Sequence, residues 1–320
     1  MPERSRDGRL VAAVDCGTNS TRLLVARAGR PLRSVIRVTR ITRLGSGVDA
    51  TGRLSDAAIG RVADVLAGYA GIWRTWNVDG VGVTATSAVR DAIDGERFLD
   101  VVHAVTGVRP VVLSGRQEAA LTFAGATADR TGHHVVCDIG GGSTELSVGD
   151  GELRHAISLQ VGSVRLRERH LAGDPPTPEE YAALVAGVDD ELRAIPDAFA
   201  DRSRSAPLVA VAGTALTVAA VARDATADDL DRLDGTVLSA AEVNQVVEDL
   251  AWLTSPDRLT HPAIAPGRED VIVAGALVLA RVMARLGHAA VEVRVADLLD
   301  GIADRVAAGR WPPPSEGSTS

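Results

Sequence analysis

One ten-residue pattern occurs twice in this chain. The segment Val14-Asp15-Cys16-Gly17-Thr18-Asn19-Ser20-Thr21-Arg22-Leu23 lines up without a gap on Cys137-Asp138-Ile139-Gly140-Gly141-Gly142-Ser143-Thr144-Glu145-Leu146, with Asp, Gly, Ser, Thr and Leu coinciding. Internal similarity of this kind implies a chain built from two related halves. Each copy follows an apolar stretch (Leu10 to Val14, His134 to Cys137) and precedes another (Leu23 to Ala26, Leu146 to Val148). Each therefore reads as a β-hairpin whose tip is rich in Gly, Ser and Thr. Two halves also suit 320 residues, more than one core usually organises.

Between and after the hairpins the spacing of apolar residues predicts alternating strands and helices. Helices are expected over Leu54 to Trp76, Gly95 to Thr106 and Gln117 to Thr127, with strands at Val81 to Thr84 and Arg109 to Leu113. The second half predicts a strand over Leu153 to Leu159, helices over Val164 to His170 and Pro178 to Ile195, and a Ser/Arg-rich loop at Asp201 to Ala206. A strand from Leu208 to Ala212 leads through Gly213-Thr214 into a helix. Helices Ala240 to Leu253 and Glu269 to Leu286, strand Val291 to Val295 and a last helix complete the chain. Such alternation after an opening hairpin is an α/β architecture. The polar stretch Ala128 to His133 divides it into domains 1–130 and 131–310, and the proline-rich tail 311–320 is expected to be disordered.

Composition narrows the chemistry. No apolar run reaches the roughly 18 residues of a membrane span, and the polar start MPERSRDGRL has no apolar secretion signal. Cys16 and Cys137, the two cysteines, each lie in an apolar strand beside an aspartate, as buried thiols of a reducing compartment do. The expected location is the cytoplasm. A net charge of −8 argues against a broad basic field for nucleic acid. All 34 basic residues are arginine, which excludes a Walker-type phosphate loop and any Schiff-base lysine. Phosphate must then be held by arginine, backbone N–H groups, hydroxyls or metal.

The two hairpin tips meet that requirement. Small residues let main-chain N–H groups approach an anion, and the hydroxyls add uncharged donors. A single such loop is ordinarily just a tight turn, but two aligned copies favour binding. Gly17, Thr18, Asn19, Ser20 and Thr21 in the first copy, with Gly140, Gly141, Gly142, Ser143 and Thr144 in the second, are the candidate phosphate-binding residues. In each copy an aspartate ends the strand before the loop, a place suited to a divalent cation, so Asp15 and Asp138 are metal candidates. His133 and His134 are neighbours in an extended stretch, facing apart, and predict no metal site.

Five ordered segments, VAAVDCGTNSTRLLV, ATSAVRDA, LSGRQEAALTFAGA, VVCDIGGGSTELSVG and SLQVGSVRLRERHL, resemble the exopolyphosphatase and guanosine pentaphosphate phosphatase family. PGREDVIVAGA fits its pattern as well, so the resemblance runs from about Leu10 to Arg305. It implies two ribonuclease H-like domains of the actin-like ATPase superfamily flanking a cleft. It implies that Glu118 is the base that activates water, Arg90 an active-site arginine that clamps phosphate, and Glu145 a catalytic or metal-binding acid beside Asp138. Arg165, Gly213 and Thr214 become candidates for further substrate contacts. Magnesium or another divalent cation is the implied cofactor, and a monovalent cation is compatible with the family pattern. Cys16 stands where the family usually has an aliphatic residue.

The activity implied is hydrolysis of terminal phosphoanhydride bonds of inorganic polyphosphate. Longer family members carry accessory helical domains that this chain lacks, which points to short chains. The closest alternative keeps the mechanism and changes the substrate to guanosine pentaphosphate or to ATP or ADP. A sugar or acetate kinase shares the hairpin loops but not the SGxxEA segment around Glu118. A non-catalytic polyphosphate or alarmone sensor would not need Glu118, Asp138 and Glu145 together. The expected partner is thus polyphosphate or a phosphorylated guanosine nucleotide, not nucleic acid or membrane, and a homodimer is left open.

Overall fold

A computed structural model describes residues 8–314, so the tail expected beyond Pro314 lies outside the described residues. The chain forms two compact units, one ending at Asp129 and resuming at Leu298, the other spanning Arg130–Asp297.

In the first unit, strands β1 (Leu10–Cys16), β2 (Ser20–Arg27), β3 (Arg33–Ile41), β4 (Gly80–Ala85) and β5 (Val111–Val112) form one sheet in the order β3-β2-β1-β4-β5. The first three strands are antiparallel, and β4 and β5 add in parallel. Because side chains alternate across a strand, β1 and β2 supply two cores. Ala12, Val14, Cys16, Leu23 and Val25 pack on one face with Ile59, Val62, Leu66 and Trp73 of helix Asp56–Thr75. Val11, Ala13, Leu24 and Ala26 pack on the other with Leu121 and with Leu298, Leu299 and Ile302.

Those last residues correct the expected domain limits. Helix Leu298–Ala307, which chain order assigned to the second domain, belongs to the first unit. Glycines let it sit close: a side-chain carbon at Gly80 or Gly82 of β4 would press on Val306 and Ile302, at 2.9 and 2.8 Å. Trp311, placed in the tail on sequence, packs on the same cluster, and Gln117 donates to the Pro314 carbonyl at 2.8 Å.

The second unit repeats the plan. Strands β6 (His133–Ile139), β7 (Thr144–Asp150), β8 (Glu152–Leu159), β9 (Leu208–Val211), β10 (Thr236–Ser239) and β11 (Ala290–Val293) lie in the order β10-β11-β9-β6-β7-β8. Again an antiparallel trio (β6, β7, β8) is extended by parallel strands, β9 and β11, with β10 antiparallel at the edge. Two α/β units of this shared plan are the ribonuclease H-like architecture. Its core joins Val135, Cys137, Ile139 and Leu146 to the helices, chiefly Ile272–Leu286.

Strands β3 and β10 and several short helices escaped the sequence reading. Strand β3 carries Arg33, Arg37 and Arg40, and a register shift opposite Val25 and Ala26 breaks its alternation. Strand β10 is four residues long, and helix Asp197–Ser203 occupies half of the expected Ser/Arg-rich loop.

Helix Asp56–Thr75 contains Gly60, Gly68 and Gly71, none of which would meet a neighbour through an added Cβ. Gly68→Ala is therefore expected to stabilise the first unit by about 0.5–1 kcal/mol, since glycine costs that much inside a helix. A calorimetric midpoint that fails to rise would mean the helix is not the limiting element.

Candidate functional site

In the first unit the tight turn of the first loop is closed by the Gly17 amide donating to the Ser20 carbonyl at 3.0 Å. The following segment is laced to it. Gly45 N–H donates to the Thr18 carbonyl at 2.8 Å, and the Thr42 and Arg43 amides to that of Asn19 at 3.0 and 2.9 Å. Arg43 adopts φ 49°, a left-handed conformation uncommon for a side-chain-bearing residue. Thr21 and Thr42 share a hydroxyl contact of 2.9 Å, and the Tyr69 hydroxyl donates to the Thr21 carbonyl at 3.0 Å. Burial pushes the Tyr69 phenol up, so it remains a donor. The carbonyls of Thr18, Asn19, Ser20 and Thr21 thus all accept a hydrogen bond, whereas the Thr18 and Asn19 amides meet no acceptor among the described residues. Asn19 Oδ1 is buried, also with no hydrogen-bond partner there.

Asp15, buried at the end of β1, faces Arg22 directly across the hairpin. Arg22 Nη2 lies 2.9 Å from Asp15 Oδ2, and the Thr84 hydroxyl is 3.3 Å from Oδ1. Asp15, a metal candidate on sequence, thus carries a guanidinium against one carboxylate oxygen and a hydroxyl against the other.

The same unit brings Arg90 and Glu118 together. Ser114 caps helix Gly115–Ala126 through a capping box with Gln117, which fixes the helix start and sets Glu118 in its first turn. Glu118 is only 7% exposed. Arg90, from the short helix Ser87–Asp91, places Nη1 3.1 Å from Glu118 Oε2 and 2.8 Å from the Leu113 carbonyl. Its Nη2 is buried with no hydrogen-bond partner among the described residues. Such a buried donor is costly, by roughly 1–3 kcal/mol, unless an acceptor arrives.

In the second unit the Gly140 amide donates to the Ser143 carbonyl, again at 3.0 Å, repeating the first turn. The loop is pinned from behind. Ser163 N–H donates to the Gly140 carbonyl, Val164 and Arg165 N–H to that of Gly141, and Arg165 Nε to that of Gly142 at 2.7 Å. Arg165, proposed on sequence as a substrate contact, thus braces the loop. Gly162 is required here, since a Cβ would lie 2.5 Å from the Gly141 carbonyl oxygen. The amides of Gly141, Gly142 and Ser143 meet no acceptor among the described residues, which makes them three successive free donors. The Thr144 hydroxyl donates to the Val161 carbonyl at 2.5 Å.

Asp138 and Glu145 are directly opposite on β6 and β7, both buried, and the Ser158 hydroxyl donates to Glu145 Oε1 at 2.7 Å. Where the first hairpin sets an aspartate against an arginine, the second sets it against a second acid. Thr214 donates to the Ile139 carbonyl at 3.2 Å, tying helix Ala212–Ala222 to β6, and the Arg268 guanidinium lies against Gly213.

Both thiols point into the cores, away from the neighbouring aspartates. Burial, then the negative charge of Asp15, pushes the Cys16 thiol up. Burial, then Asp138 and Glu145, does the same for Cys137. Neither is a thiolate nucleophile. His134 is buried with Nδ1 3.0 Å from the Gly132 carbonyl, while His133 is exposed and 3.5 Å from Asp150.

Sequence reasoning overlooked Arg22 and Ser158. Arg22 was detectable, because it and Glu145 occupy the same column of the repeat with opposite charge.

Two ribonuclease H-like units, each presenting a hairpin loop with unused amide donors, make up this chain. Residues 24–307 match the Ppx/GppA phosphatase family, and the chain belongs to it. It is 38% identical to Exopolyphosphatase 2 of Mycobacterium tuberculosis over 92% of this chain and 97% of that protein. It is 32% identical to the guanosine-5′-triphosphate,3′-diphosphate pyrophosphatase of Vibrio atlanticus over 60% of this chain and 39% of that one. The crystal structure of an exopolyphosphatase-like protein superimposes with a TM-score of 0.84 at 36% identity, covering 93% of this chain and 97% of the other.

Proposed function

We propose that this protein is an exopolyphosphatase, a hydrolase that removes terminal phosphates from inorganic polyphosphate by in-line attack of water. The observation that carries this is the Arg90–Glu118 pair: a buried carboxylate beside a guanidinium that keeps one buried donor unused. Phosphoryl transfer asks mainly for positioning and charge neutralisation. Glu118 accepts the proton of the attacking water. Arg90 offers Nη2 to an oxygen of the phosphoryl group, while its bond to the Leu113 carbonyl holds the fork in place. In the same unit the unused amides of Thr18 and Asn19 take further phosphate oxygens, and in the second unit those of Gly141, Gly142 and Ser143 offer a phosphate site of the same kind. Resemblance to Exopolyphosphatase 2 supports the substrate class.

Among the described residues no three or more of His, Cys, Asp and Glu gather as a metal site. A paired Asp138 and Glu145 nevertheless suit magnesium, which is commonly held by one or two carboxylates together with substrate phosphates. These two residues would hold it, and when bound it would neutralise charge on the phosphates. Ser158 orients Glu145. Ser158→Ala is expected to raise the magnesium concentration for half-maximal activity about 10-fold, with little change in rate at saturation. An unchanged magnesium titration would remove Glu145 from the cation.

A second reading, removal of the 5′ terminal phosphate of guanosine pentaphosphate, draws support from the resemblance to the Vibrio protein. Phosphate release with magnesium from polyphosphate, guanosine pentaphosphate and ATP, compared side by side, separates the two. Preference for polyphosphate upholds the proposal. Preference for a nucleotide moves the assignment to the second reading, and release from none of them overturns both.

A further inference from the structure

Between Cys16 and Val48 the chain carries seven arginines and not one acidic residue, in a protein with 42 acids against 34 arginines. Two of the seven are matched in the fold: Arg22 by Asp15 and Arg37 by Asp300, at 2.9 and 2.6 Å. Arg27, Arg30, Arg33 and Arg40 are exposed and pair with no carboxylate among the described residues. Arg27 donates to the Gly8 carbonyl and Arg40 to that of Thr39, bonds that leave their charges uncompensated. Many exposed arginines elsewhere do have acidic partners, such as Arg109 with Glu96 and Asp100, or Arg223 with Glu242.

Arg33 and Arg40 lie on β3, Arg27 ends the neighbouring β2, and Arg30 sits in the turn that joins the two. β3 is the edge strand, and the register shift at Val25/Ala26 sets Arg33 opposite Arg27 and Arg40 opposite Thr21. Without that shift Arg33 and Arg40, seven residues apart, would lie on opposite faces. With it, Arg27, Arg33 and Arg40 share the face of helix Asp56–Thr75, where Ile36 and Val38 also pack. Like charges directly opposite are unfavourable in a strand pair. Shielding an edge against other strands needs only an occasional charge, so this row is more than protection requires. Its Arg40 end adjoins the phosphate loop, because Ile41 pairs with Ser20. From there to Arg33 is seven residues, or about 23 Å of strand. Arg61 adds a cation at the loop end, donating to the Thr42 and Arg43 carbonyls.

We propose that the β3 edge is a docking track for the distal part of a polyphosphate chain whose terminal phosphates occupy the first loop. This rests on the exopolyphosphatase reading and adds a site outside the loops. A row of exposed guanidinium groups with no acid between them in the sequence complements a linear polyanion and offers nothing to a chain of two or three phosphates. It favours longer polymers, in contrast to the short-chain expectation.

The test compares the wild-type protein with an Arg30→Gln, Arg33→Gln, Arg40→Gln triple variant. Its substrates are long-chain polyphosphate and tripolyphosphate across a salt series. For the long chain, KM should rise on the order of 10-fold at low salt with kcat unchanged. The slope of log KM against log salt should become shallower by about 2, at roughly 0.7 per lost contact. Tripolyphosphate kinetics should not change. Equal long-chain KM and salt slope in the two proteins would overturn the track. Binding of end-labelled long-chain polyphosphate under chelator keeps the question separate from turnover. If neither protein hydrolyses any substrate, weaker binding by the variant still upholds the track while the catalytic reading falls. Equal binding overturns the track. A single-stranded RNA homopolymer bound as tightly, with the same arginine dependence, would overturn the assignment to polyphosphate.

Discussion

Glu118→Gln should lower turnover by two or more orders of magnitude while substrate still binds. Glutamine keeps the size of the side chain and can still accept from Arg90, whose other bond to the Leu113 carbonyl does not involve position 118. The capping box through Ser114 and Gln117 also stays intact, so the helix start is preserved. What disappears is a group able to take a proton from water. General-base contributions are typically about 100- to 10,000-fold, or roughly 2.7–5.4 kcal/mol of barrier. Single-turnover phosphate release gives the rate, and calorimetric titration with polyphosphate in the absence of divalent metal gives the affinity. A rate close to wild type would remove Glu118 from the chemistry, and parallel loss of rate and affinity would assign it to the fold.

The second large effect is expected far from any phosphate. A Cβ at Gly301 would lie 2.7 Å from the Leu121 carbonyl carbon and 3.1 Å from its Cα, and would overlap the carbonyl oxygen itself. All three are backbone atoms, which cannot swing aside as a long side chain does. Overpacking of this kind costs about 1–3 kcal/mol, and at a backbone contact the upper end applies. Gly301→Ala should therefore lower the thermal midpoint of the first unit by roughly 6–12 °C. Leu121 belongs to helix Gly115–Ala126, which also carries Glu118, so displacement of that helix should reduce activity as well. Differential scanning calorimetry combined with phosphate release checks both. An unaltered midpoint would mean that helix Leu298–Ala307 is free to slide, and that the tight contact does not hold it.

The contrast between these residues explains what the sequence made legible. Asp15 and Asp138, the two loops and the apolar strands flanking them were readable because a hairpin is local: its partners lie within about ten residues, and the repeat doubles the signal. Arg22 was visible in the same alignment, but its pairing with Asp15 depends on register, which a hairpin fixes only when both strand ends are known. Glu118 has no distinguishing period, and only the resemblance singled it out. Its closeness to Arg90, 28 positions earlier, is a tertiary fact. Strand β3 was hidden by the register shift that puts its arginines out of alternation. The last helix was misassigned because chain order suggests neighbours, whereas its apolar face fits Val11, Ala13 and Leu24, nearly the whole chain away.

That return of the chain sets an order on biosynthesis. As the ribosome emits the protein, β1 to β5 appear first, yet one face of their sheet lacks Leu298, Leu299, Ile302 and Ala303 of its core until helix Leu298–Ala307 has been made. All of Arg130–Asp297 is translated in between, which at about 5–20 residues per second takes on the order of 10–30 seconds. During that interval the inserted unit can close its own core, whereas the first-made half waits with the core around Val11, Ala13, Leu24 and Ala26 incomplete. A message cut short would thus yield a nascent chain with a sound second half and an open first half, and the helix bearing Glu118 would lack its companion. Completion of synthesis is in effect a checkpoint for activity, imposed by topology alone.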